Sequence, residues 1–399
     1  MEEIVPGPVR GDTRHYGDVP GASATAGPVP GAPPADGEAA EHGPPTIYDV
    51  ARAAGVSIAS VSRVLNGRRN PLPDTKERVE RAAAELGFIP DGAARALSVR
   101  LKEVVGVVIR RPEVTVSADG IFEDEETSLQ FPDLINRGIE VAAKRYGYDL
   151  LIRSVDVNEH QPAERIRALA RKSDGLILHD QVLDSEQLAD LARHVPVVTL
   201  AGAATSATAN VRGDNAGGMR QLAEHLLHDH GYRSLSYLGG YPDSPDNIER
   251  HQVIAAAVAR VPGATLASGP DWQGYYFASG GAKVIHHLLA AGDPLPDVII
   301  CANDQTALGA MAALREHGVD VPGQVAVTGF DDLPMARHLR TSLTTVRQPI
   351  RELGTVAFDL LFAMINRERP ASRDVVMPTT LVRRESCGCA PSETGRSEQ

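Results

Sequence analysis

Ten lysine and arginine side chains lie between Thr46 and Lys102, against six acidic ones, which gives this stretch a formal charge of +4. The whole chain of 399 residues carries −12, so everything outside the stretch carries −16. Clustered ammonium and guanidinium groups bind phosphate oxygens, and a basic module on an acidic body is typical of a nucleic-acid-binding head. The charge distribution therefore predicts a phosphate-binding segment that the net charge conceals.

Three cysteines offer thiol chemistry. Cys301 lies in an apolar run, and Cys387 and Cys389 form a Cys-x-Cys near the end of the chain. Two thiols do not complete a zinc site, and no second Cys or His pair at zinc-finger spacing accompanies them in the sequence. We interpret them as one buried thiol and a pair in the tail, and we predict no metal and no cofactor.

Two other classes of function are alternatives. An enzyme would use Cys301, which precedes Asn303 and Asp304, but the sequence lacks a Gly-x-Ser-x-Gly elbow, a P-loop and a His-Glu-x-x-His motif. A transport binding protein would carry a secretory signal, and no apolar segment follows Glu2 and Glu3 or is long enough to span a bilayer. We therefore expect a cytoplasmic protein that is not an enzyme.

The N-terminal part of the chain changes character at Thr46. Residues 1–45 are rich in Gly, Pro and Ala without apolar periodicity, which predicts a disordered tail. Three helices are predicted next, from Ile47 to Ala54, from Ile58 to Leu65 and from near Asp74 to Leu86. A tight glycine turn between the first two is typical of a helix-turn-helix.

From Val104 onward, β-branched runs alternate with helical stretches, which predicts parallel α/β sheets in two doubly wound subdomains. A ligand cleft is expected between them, at the carboxyl ends of the strands. The predicted strands are Val104–Ile109, Asp149–Val155, Gly175–Leu178, Val195–Leu200, Ser234–Leu238, Val298–Cys301 and Val325–Phe330, and the predicted helices are 132–146, 162–172, 185–193, 215–230, 246–260 and 304–317.

An ordered set of motifs resembles the LacI/GalR (lactose repressor) family of transcriptional regulators from about Thr46 to Ser386. The motifs are Thr46-Ile-Tyr-Asp-Val-Ala-Arg-Ala-Ala-Gly-Val-Ser57, Ser60-Val-Ser-Arg-Val-Leu-Asn-Gly67, Ala84-Glu-Leu-Gly-Phe-Ile-Pro90, Val104-Val-Gly-Val-Val, Asp174-Gly-Leu-Ile-Leu, Asp214-Asn-Ala-Gly-Gly, Tyr237-Leu-Gly-Gly, Cys301-Ala-Asn-Asp-Gln, Gly329-Phe-Asp-Asp332 and Leu343-Thr-Thr-Val-Arg-Gln-Pro349.

The resemblance implies a multidomain fold: an all-α helix-turn-helix head and an α/β periplasmic-binding-protein-like effector domain of two doubly wound subdomains. The implied divisions are a tail over 1–45, a DNA-binding headpiece over 46–90, a hinge helix or linker over 91–101, an effector-binding and dimerisation domain over 102–386, and a C-terminal tail over 387–399.

By position in the family motif, the start of the second helix enters the major groove, and Ile58, Ala59 and Arg63 read bases. Arg63 offers a bidentate fork to guanine, although an arginine that only holds a phosphate is an open alternative. The resemblance also implies DNA contacts from hydroxyl and amide groups that fix the register on phosphates. These residues are Thr46, Ser57, Ser60, Ser62 and Asn66.

The resemblance identifies residues 91–99 as a hinge helix. Leu97 matches the leucine that wedges into the minor groove at the operator centre, and Arg95 and Arg100 flank it with positive charge. A helix this short is marginal alone, so it is expected to form when two hinges meet on DNA. A plain linker with a buried leucine is the alternative.

For the effector, the resemblance implies Arg250, Trp272, Asn303 and Asp331 as binding residues. A guanidinium, an amide and a carboxylate around an aromatic ring suit a ligand with many hydroxyls. Two alternatives are open: Asn303 and Asp331 cap helices after strands, or Trp272 belongs to the core. The stretch 111–130 is longer and more acidic than the family's first cleft loop, so a cationic ligand is an alternative to a sugar.

The sequence thus predicts a repressor that binds double-stranded operator DNA as a homodimer, that a sugar or sugar derivative releases from the DNA, and that has no membrane attachment. Two departures bear on the head: Leu72 stands where the family usually has a serine, and Pro73 follows it. Proline is accepted at a first helical position, so the helix survives while one phosphate contact is in doubt.

Overall fold

The computed structural model describes residues 45–65, 72–88, 101–111, 130–156, 162–179, 182–202, 205 and 207–390. The chain divides into two compact units, Met1–Ile89 and Pro90–Gln399. Asn66, Arg95 and Leu97 lie outside the described residues, as do residues 1–44 of the predicted N-terminal tail and residues 91–100 of the predicted hinge.

The head consists of three helices, α1 (Ile47–Ala54), α2 (Ile58–Leu65) and α3 (Pro73–Leu86). Helix α1 begins with a capping interaction, because the Thr46 amide and hydroxyl donate to the Asp49 carboxylate at 2.9 and 2.6 Å. A small core closes between the helices. Its buried members are Val50, Ala51, Ala54, Val61, Val79 and Ala82.

The body contains the remaining elements in alternating order. The strands are β1 (Val104–Arg111), β2 (Asp149–Asp156), β3 (Gly175–His179), β4 (Val197–Leu200), β5 (Ala209–Gly213), β6 (Ser234–Leu238), β7 (Thr265–Ala267), β8 (Val298–Cys301), β9 (Ala326–Thr328), β10 (Thr345–Arg347), β11 (Asp374–Met377) and β12 (Thr380–Val382). The helices are α4 (Gln130–Tyr146), α5 (Pro162–Ala170), α6 (Ser185–Ala192), α7 (Asn215–Glu224), α8 (Pro245–Val258), α9 (Ala278–Ala291), α10 (Asp304–Glu316) and α11 (Ile350–Ile365).

These elements form two lobes, each built on a parallel sheet covered by helices on both faces. The first sheet has the order β2-β1-β3-β4-β5-β11, and the second has the order β7-β6-β8-β9. Strands buried on both faces read as continuous apolar runs, as in β3 and β8. The predicted pair of doubly wound subdomains is therefore confirmed.

Helix α11 belongs to the first lobe although it follows the second lobe in the chain. It packs on α4, and two glycines make the approach possible. A Cβ on Gly138 would collide with the Arg351 carbonyl, and a Cβ on Gly354 would collide with the Ile135 carbonyl. The lobes are thus connected by several chain segments, including β5 to α7, β10 to α11 and β11 to β12.

The structure adds elements that the sequence pattern did not reveal. Strand β5 and helices α9 and α11 were not predicted, and the predicted helix 215–230 ends as a π-helix over His225–Asp229. A short 3₁₀ helix, Glu385–Cys387, follows β12, and Cys387 is fully buried, so the folded body extends beyond Ser386.

Within the described ranges, no helix is long and apolar enough to cross a membrane.

Candidate nucleic-acid interface and effector cleft

Helix α2 presents one face to the head core and another to solvent. Val61 points inward and is completely buried, whereas Ile58 is 42% exposed and Ala59 and Arg63 are exposed. The Arg63 Nε donates to the Ala59 carbonyl at 3.1 Å, which leaves the terminal nitrogens at the helix surface. An exposed isoleucine and an exposed arginine on one helix, which is anchored by its core face, are suited to contact another molecule.

The hydroxyl residues of the head are partly engaged within the protein. The Ser57 hydroxyl accepts from the Ser60 amide at 3.2 Å, so it caps α2, and the two hydroxyls lie 2.9 Å apart. The Thr46 hydroxyl donates to Asp49. Phosphate oxygens accept hydrogen bonds, so a contact from Thr46 to phosphate would require its hydroxyl to release Asp49, and whichever of the Ser57 and Ser60 hydroxyls donates to the other would have to release it. Ser62 is half-buried.

A cleft lies between the two lobes of the body, at the carboxyl ends of both sheets, which is where open α/β sheets bind ligands. The first lobe contributes Arg110, His179 and Leu200 from the ends of β1, β3 and β4, together with the start of α4. The second lobe contributes the loops after β6, β7, β8 and β9 and the first turns of α8 and α10.

Arg250 is fixed at the floor of this cleft by hydrogen bonds from three directions. Its Nε donates to Asn215 at 2.8 Å, and one terminal nitrogen donates to the Ala302 carbonyl at 2.7 Å. Asp246 lies 3.5 Å from the other terminal nitrogen, and the guanidinium carbon sits 3.7 Å from the Phe330 ring centroid. Burial raises the pKa of Asp246, and Arg250 opposes that rise. The guanidinium is therefore pre-positioned rather than mobile.

Asp331 faces the cleft from a strained turn. Its φ is 121°, a region that residues with a Cβ rarely adopt, and its Oδ1 accepts from the Gln348 amide at 2.6 Å. Burial raises the pKa of Asp331 to about 7, against the attraction of Arg250 and the Gln348 hydrogen bond. A carboxyl that is half ionised near neutral pH can both accept from and donate to ligand hydroxyls.

Asn303 also lines the cleft, but its side chain already has partners. The Oδ1 accepts from the Thr306 amide at 3.0 Å and caps α10, while the Nδ2 donates to the Tyr276 carbonyl at 3.2 Å. Trp272 does not line the cleft. It packs partly buried against the core between α9, α10 and β8, in a 3₁₀ turn, Pro270–Trp272.

The aromatic surface of the cleft comes from residues that the sequence interpretation missed. Tyr241 packs at 5.8 to 6.2 Å from the rings of Tyr275, Tyr276 and Phe277, and all four line the cavity. Arg110 of the first lobe lies 4.7 Å over the Tyr241 ring. Three consecutive aromatic residues at 275–277, in a chain with only 4% aromatic residues, are the signal that would have found this surface.

A three-helix head and a two-lobed body with a cleft at its strand ends define a class of protein, the ligand-responsive helix-turn-helix regulators. Family models agree with this division. Residues 46–91 match the bacterial regulatory proteins of the lacI family, and residues 223–387 match the periplasmic binding protein-like domain.

Relatives match along most of the chain. The transcriptional regulator GalR of Escherichia coli (strain K12) is 32% identical over 345 residues, 86% of this chain and 95% of GalR. Catabolite control protein A of Priestia megaterium is 29% identical over 344 residues, 86% of this chain and 98% of that protein. This chain therefore belongs to the lacI family of bacterial regulatory proteins and is a DNA-binding transcription regulator.

Solved structures give the same result. The lac repressor dimer bound to operator and the anti-inducer ONPF superposes with a TM-score of 0.73 at 26% identity, covering 86% of this chain and 99% of the repressor chain. The transcriptional regulator CelR in complex with cellobiose gives 0.59 at 28% identity, covering 86% of this chain and 99% of CelR.

Proposed function

We propose that this protein is a transcriptional repressor whose affinity for operator DNA is controlled by a small, sugar-like effector bound between the lobes of its body. One observation carries the proposal: Arg250 and Asp331 converge, buried and hydrogen-bonded, on the same cleft that the Tyr241 aromatic surface lines. In the same chain, a separate three-helix unit exposes Arg63.

The chemistry of the cleft favours a neutral, hydroxyl-rich ring. Asp331 is the acceptor, Arg250 is the donor, and aromatic faces suit the apolar C–H face of a sugar. Beyond its two existing hydrogen bonds, the Asn303 side chain can accept one more at Oδ1 and donate one more from Nδ2. CelR, a relative of similar fold, is known with cellobiose, which supports the sugar class without naming the sugar here.

We propose that Ile58, Ala59 and Arg63 contact base edges, and that Thr46, Ser57, Ser60, Ser62 and Asn66 contact the DNA backbone. Arg95 and Leu97 of the hinge segment contact the minor groove in this proposal. A two-fold dimer would place two such heads on the half-sites of a pseudo-palindromic operator. The lac repressor dimer on its operator supports that arrangement.

The test is duplex binding as a function of salt and metabolite. With a library of genomic fragments, we expect selective retention, with log K falling linearly as log salt rises, and loss of retention when one sugar is added. The same sugar at about a hundredfold excess over Kd should raise the free energy of unfolding by about 2.7 kcal/mol. A protein that binds every duplex equally, with and without metabolites, contradicts the proposal.

The hinge proposal has its own variant. Leu97→Ala should weaken operator binding strongly while effector binding and folding of the body stay unchanged, because a leucine wedge acts only on kinked DNA. Unchanged operator affinity in this variant removes Leu97 from the interface and leaves the repressor proposal intact.

An enzyme or a transport binding protein is the second candidate, since both use clefts of this kind. The helix-turn-helix head counts against a transport binding protein, and the cleft does not favour an enzyme. Cys301, the nucleophile that an enzyme would need, is buried in the second-lobe core and does not line the cleft. Its burial raises the pKa of the thiol. A thiol kept neutral in an apolar core is not a nucleophile.

A further inference from the structure

Four side chains with metal-binding chemistry meet on the second lobe, away from the effector cleft. They are His225, His230, Cys387 and Cys389, and one ligand atom from each lies within 4.8 Å of the others. Both cysteines are free thiols. The sequence analysis found no second Cys or His pair at zinc-finger spacing, and it was wrong on that point: His225 and His230 stand at such a spacing, although 159 positions separate His230 from Cys389.

Four of the six distances between these atoms agree with the edges of a tetrahedron around one ion, and the other two are within 4.8 Å. Zn–S bonds of about 2.3 Å and Zn–N bonds of about 2.05 Å give edges of about 3.5 Å between sulfur and nitrogen and about 3.3 Å between two nitrogens. The His225 Nε2 lies 3.5 Å from the Cys387 Sγ and 3.4 Å from the Cys389 Sγ. The His230 Nε2 lies 3.5 Å from the Cys389 Sγ and 3.1 Å from the His225 Nε2.

Each imidazole is held so that its Nε2 points at the cluster. The His225 Nδ1 lies 2.8 Å from the Asp229 carboxylate, and Asp229 lies 3.3 Å from Arg383. A carboxylate on the far nitrogen is the usual partner of a metal-bound histidine, because it fixes the tautomer and the ring orientation. The π-helix over His225–Asp229 supplies this pairing, and π turns are frequent at functional sites.

The second imidazole and the thiols are positioned by their surroundings as well. The His230 ring stacks on Tyr232 at 5.2 Å, and the Tyr232 hydroxyl donates to the Cys387 carbonyl at 2.9 Å. Gly388, with φ of 93°, turns the chain between the two cysteines, so that both sulfurs lie at the same histidine.

We propose that His225, His230, Cys387 and Cys389 form a structural Cys₂His₂ zinc site that fastens the C-terminal end of the chain to the second lobe. Two thiolates and two imidazoles in tetrahedral positions select zinc among common divalent ions, and a full set of four protein ligands is typical of a structural site. The ion would join His225 of the π-helix to a 3₁₀ turn whose neighbour, Arg384, bonds to Asp332 beside the effector cleft.

The experiment uses the full chain without a histidine tag, purified under reducing conditions without chelator. We expect about one zinc per chain by elemental analysis. After removal of zinc, added Co²⁺ should give the visible absorption of tetrahedral cobalt together with a thiolate-to-cobalt charge-transfer band. The thermal midpoint should fall on chelation and recover with Zn²⁺.

Variants separate a metal site from a hydrogen-bonded cluster. Cys389→Ser and His230→Gln should lose the zinc and the cobalt spectrum, while the matched controls Cys301→Ser and His286→Gln keep both. Asp229→Asn, at a half-exposed residue, should fold normally and bind zinc about 10- to 100-fold more weakly.

Three results would each overturn the proposal. One is a chain that holds no stoichiometric zinc and gives no cobalt–thiolate spectrum. Another is retention of the metal by Cys389→Ser. The third is a Cys387–Cys389 disulfide in the protein isolated under reducing conditions. None of these results bears on operator or effector binding, so the repressor proposal stands or falls separately.

Discussion

The head and the cleft hold their functional side chains in opposite ways. In the head, one eight-residue helix carries Ile58, Ala59 and Arg63 on an exposed face. In the cleft, Arg250 and Asp331 are 3% exposed and are hydrogen-bonded to residues from distant segments. Residues on an exposed helix face can be substituted one at a time without leaving buried partners. In a buried hydrogen-bond network, each substitution leaves another polar group without its partner, so substitutions in the cleft should have the larger effects.

The largest effect is expected for Arg250→Ala. This change leaves Asp246 buried without its cationic partner, and it removes the donors to Asn215 and Ala302. We expect a loss of about 3–5 kcal/mol in the free energy of unfolding of the body. Denaturant unfolding followed by the fluorescence of Trp272 would measure it, with exposed Arg260→Ala as the control. A loss below about 1 kcal/mol would show that the network tolerates the gap.

Asp331→Ala should abolish the effector response while operator binding persists. The carboxylate is the acceptor we assign to ligand hydroxyls, and a hydrogen bond to a charged group is worth about 1.5–3 kcal/mol, or roughly ten- to a hundredfold in Kd. Calorimetric titration with the effector and operator-release assays would measure this, with exposed Asp293→Ala as the control. A normal response would remove Asp331 from the site.

Arg63→Ala tests the exposed helix face of the head. If Arg63 reads a guanine, discrimination against one substituted base pair falls by about 1–3 kcal/mol while other positions keep theirs. The exposed Arg81 on α3 provides the control variant Arg81→Ala. If the affinity falls equally for all sequences and the slope of log K against log salt becomes shallower by about one, Arg63 contacts a phosphate instead. Fluorescence anisotropy on single-substitution duplexes distinguishes the two results.

The smallest effect is a pH dependence of effector binding. Burial raises the pKa of Asp331 to about 7, so its ionised fraction rises with pH across that value. If the ligand donates to the carboxylate, affinity should increase by up to about tenfold from pH 6 to pH 8. The same raised pKa means that Asp331 takes up protons on folding, which lowers stability as pH rises from about 4 to 7. Asp331→Asn should bind independently of pH over this range.

The head could be predicted closely because its signals are local. Helices α1 and α2 have the predicted bounds, and α3 begins one residue earlier, at Pro73. Capping residues and glycine turns act within a few positions of the helix that they end, so no tertiary information is required. Strands β3 and β8 were recovered for a similar reason, since strands buried on both faces are continuous apolar runs.

The cleft could be predicted only in part. Arg250, Asn303 and Asp331 were expected there, and the structure brings them together. Trp272 was expected as well, but its turn directs it to the core, and Tyr241 and Tyr275 supply the aromatic surface instead. These tyrosines lie in loops without periodicity, and their convergence depends on how β6 and α9 pack, which a sequence pattern does not encode.

The contact between Arg110 and Tyr241 spans the cleft from one lobe to the other, and Asp243 lies 3.8 Å from the same guanidinium. The Arg110 side chain therefore lines the space that we assign to the effector. A ligand that displaced Arg110 from Tyr241 would have an apparent affinity equal to its intrinsic affinity multiplied by the fraction of molecules in which Arg110 has withdrawn. For such a ligand, the concentration at which the regulator responds would be set partly by this contact between the lobes.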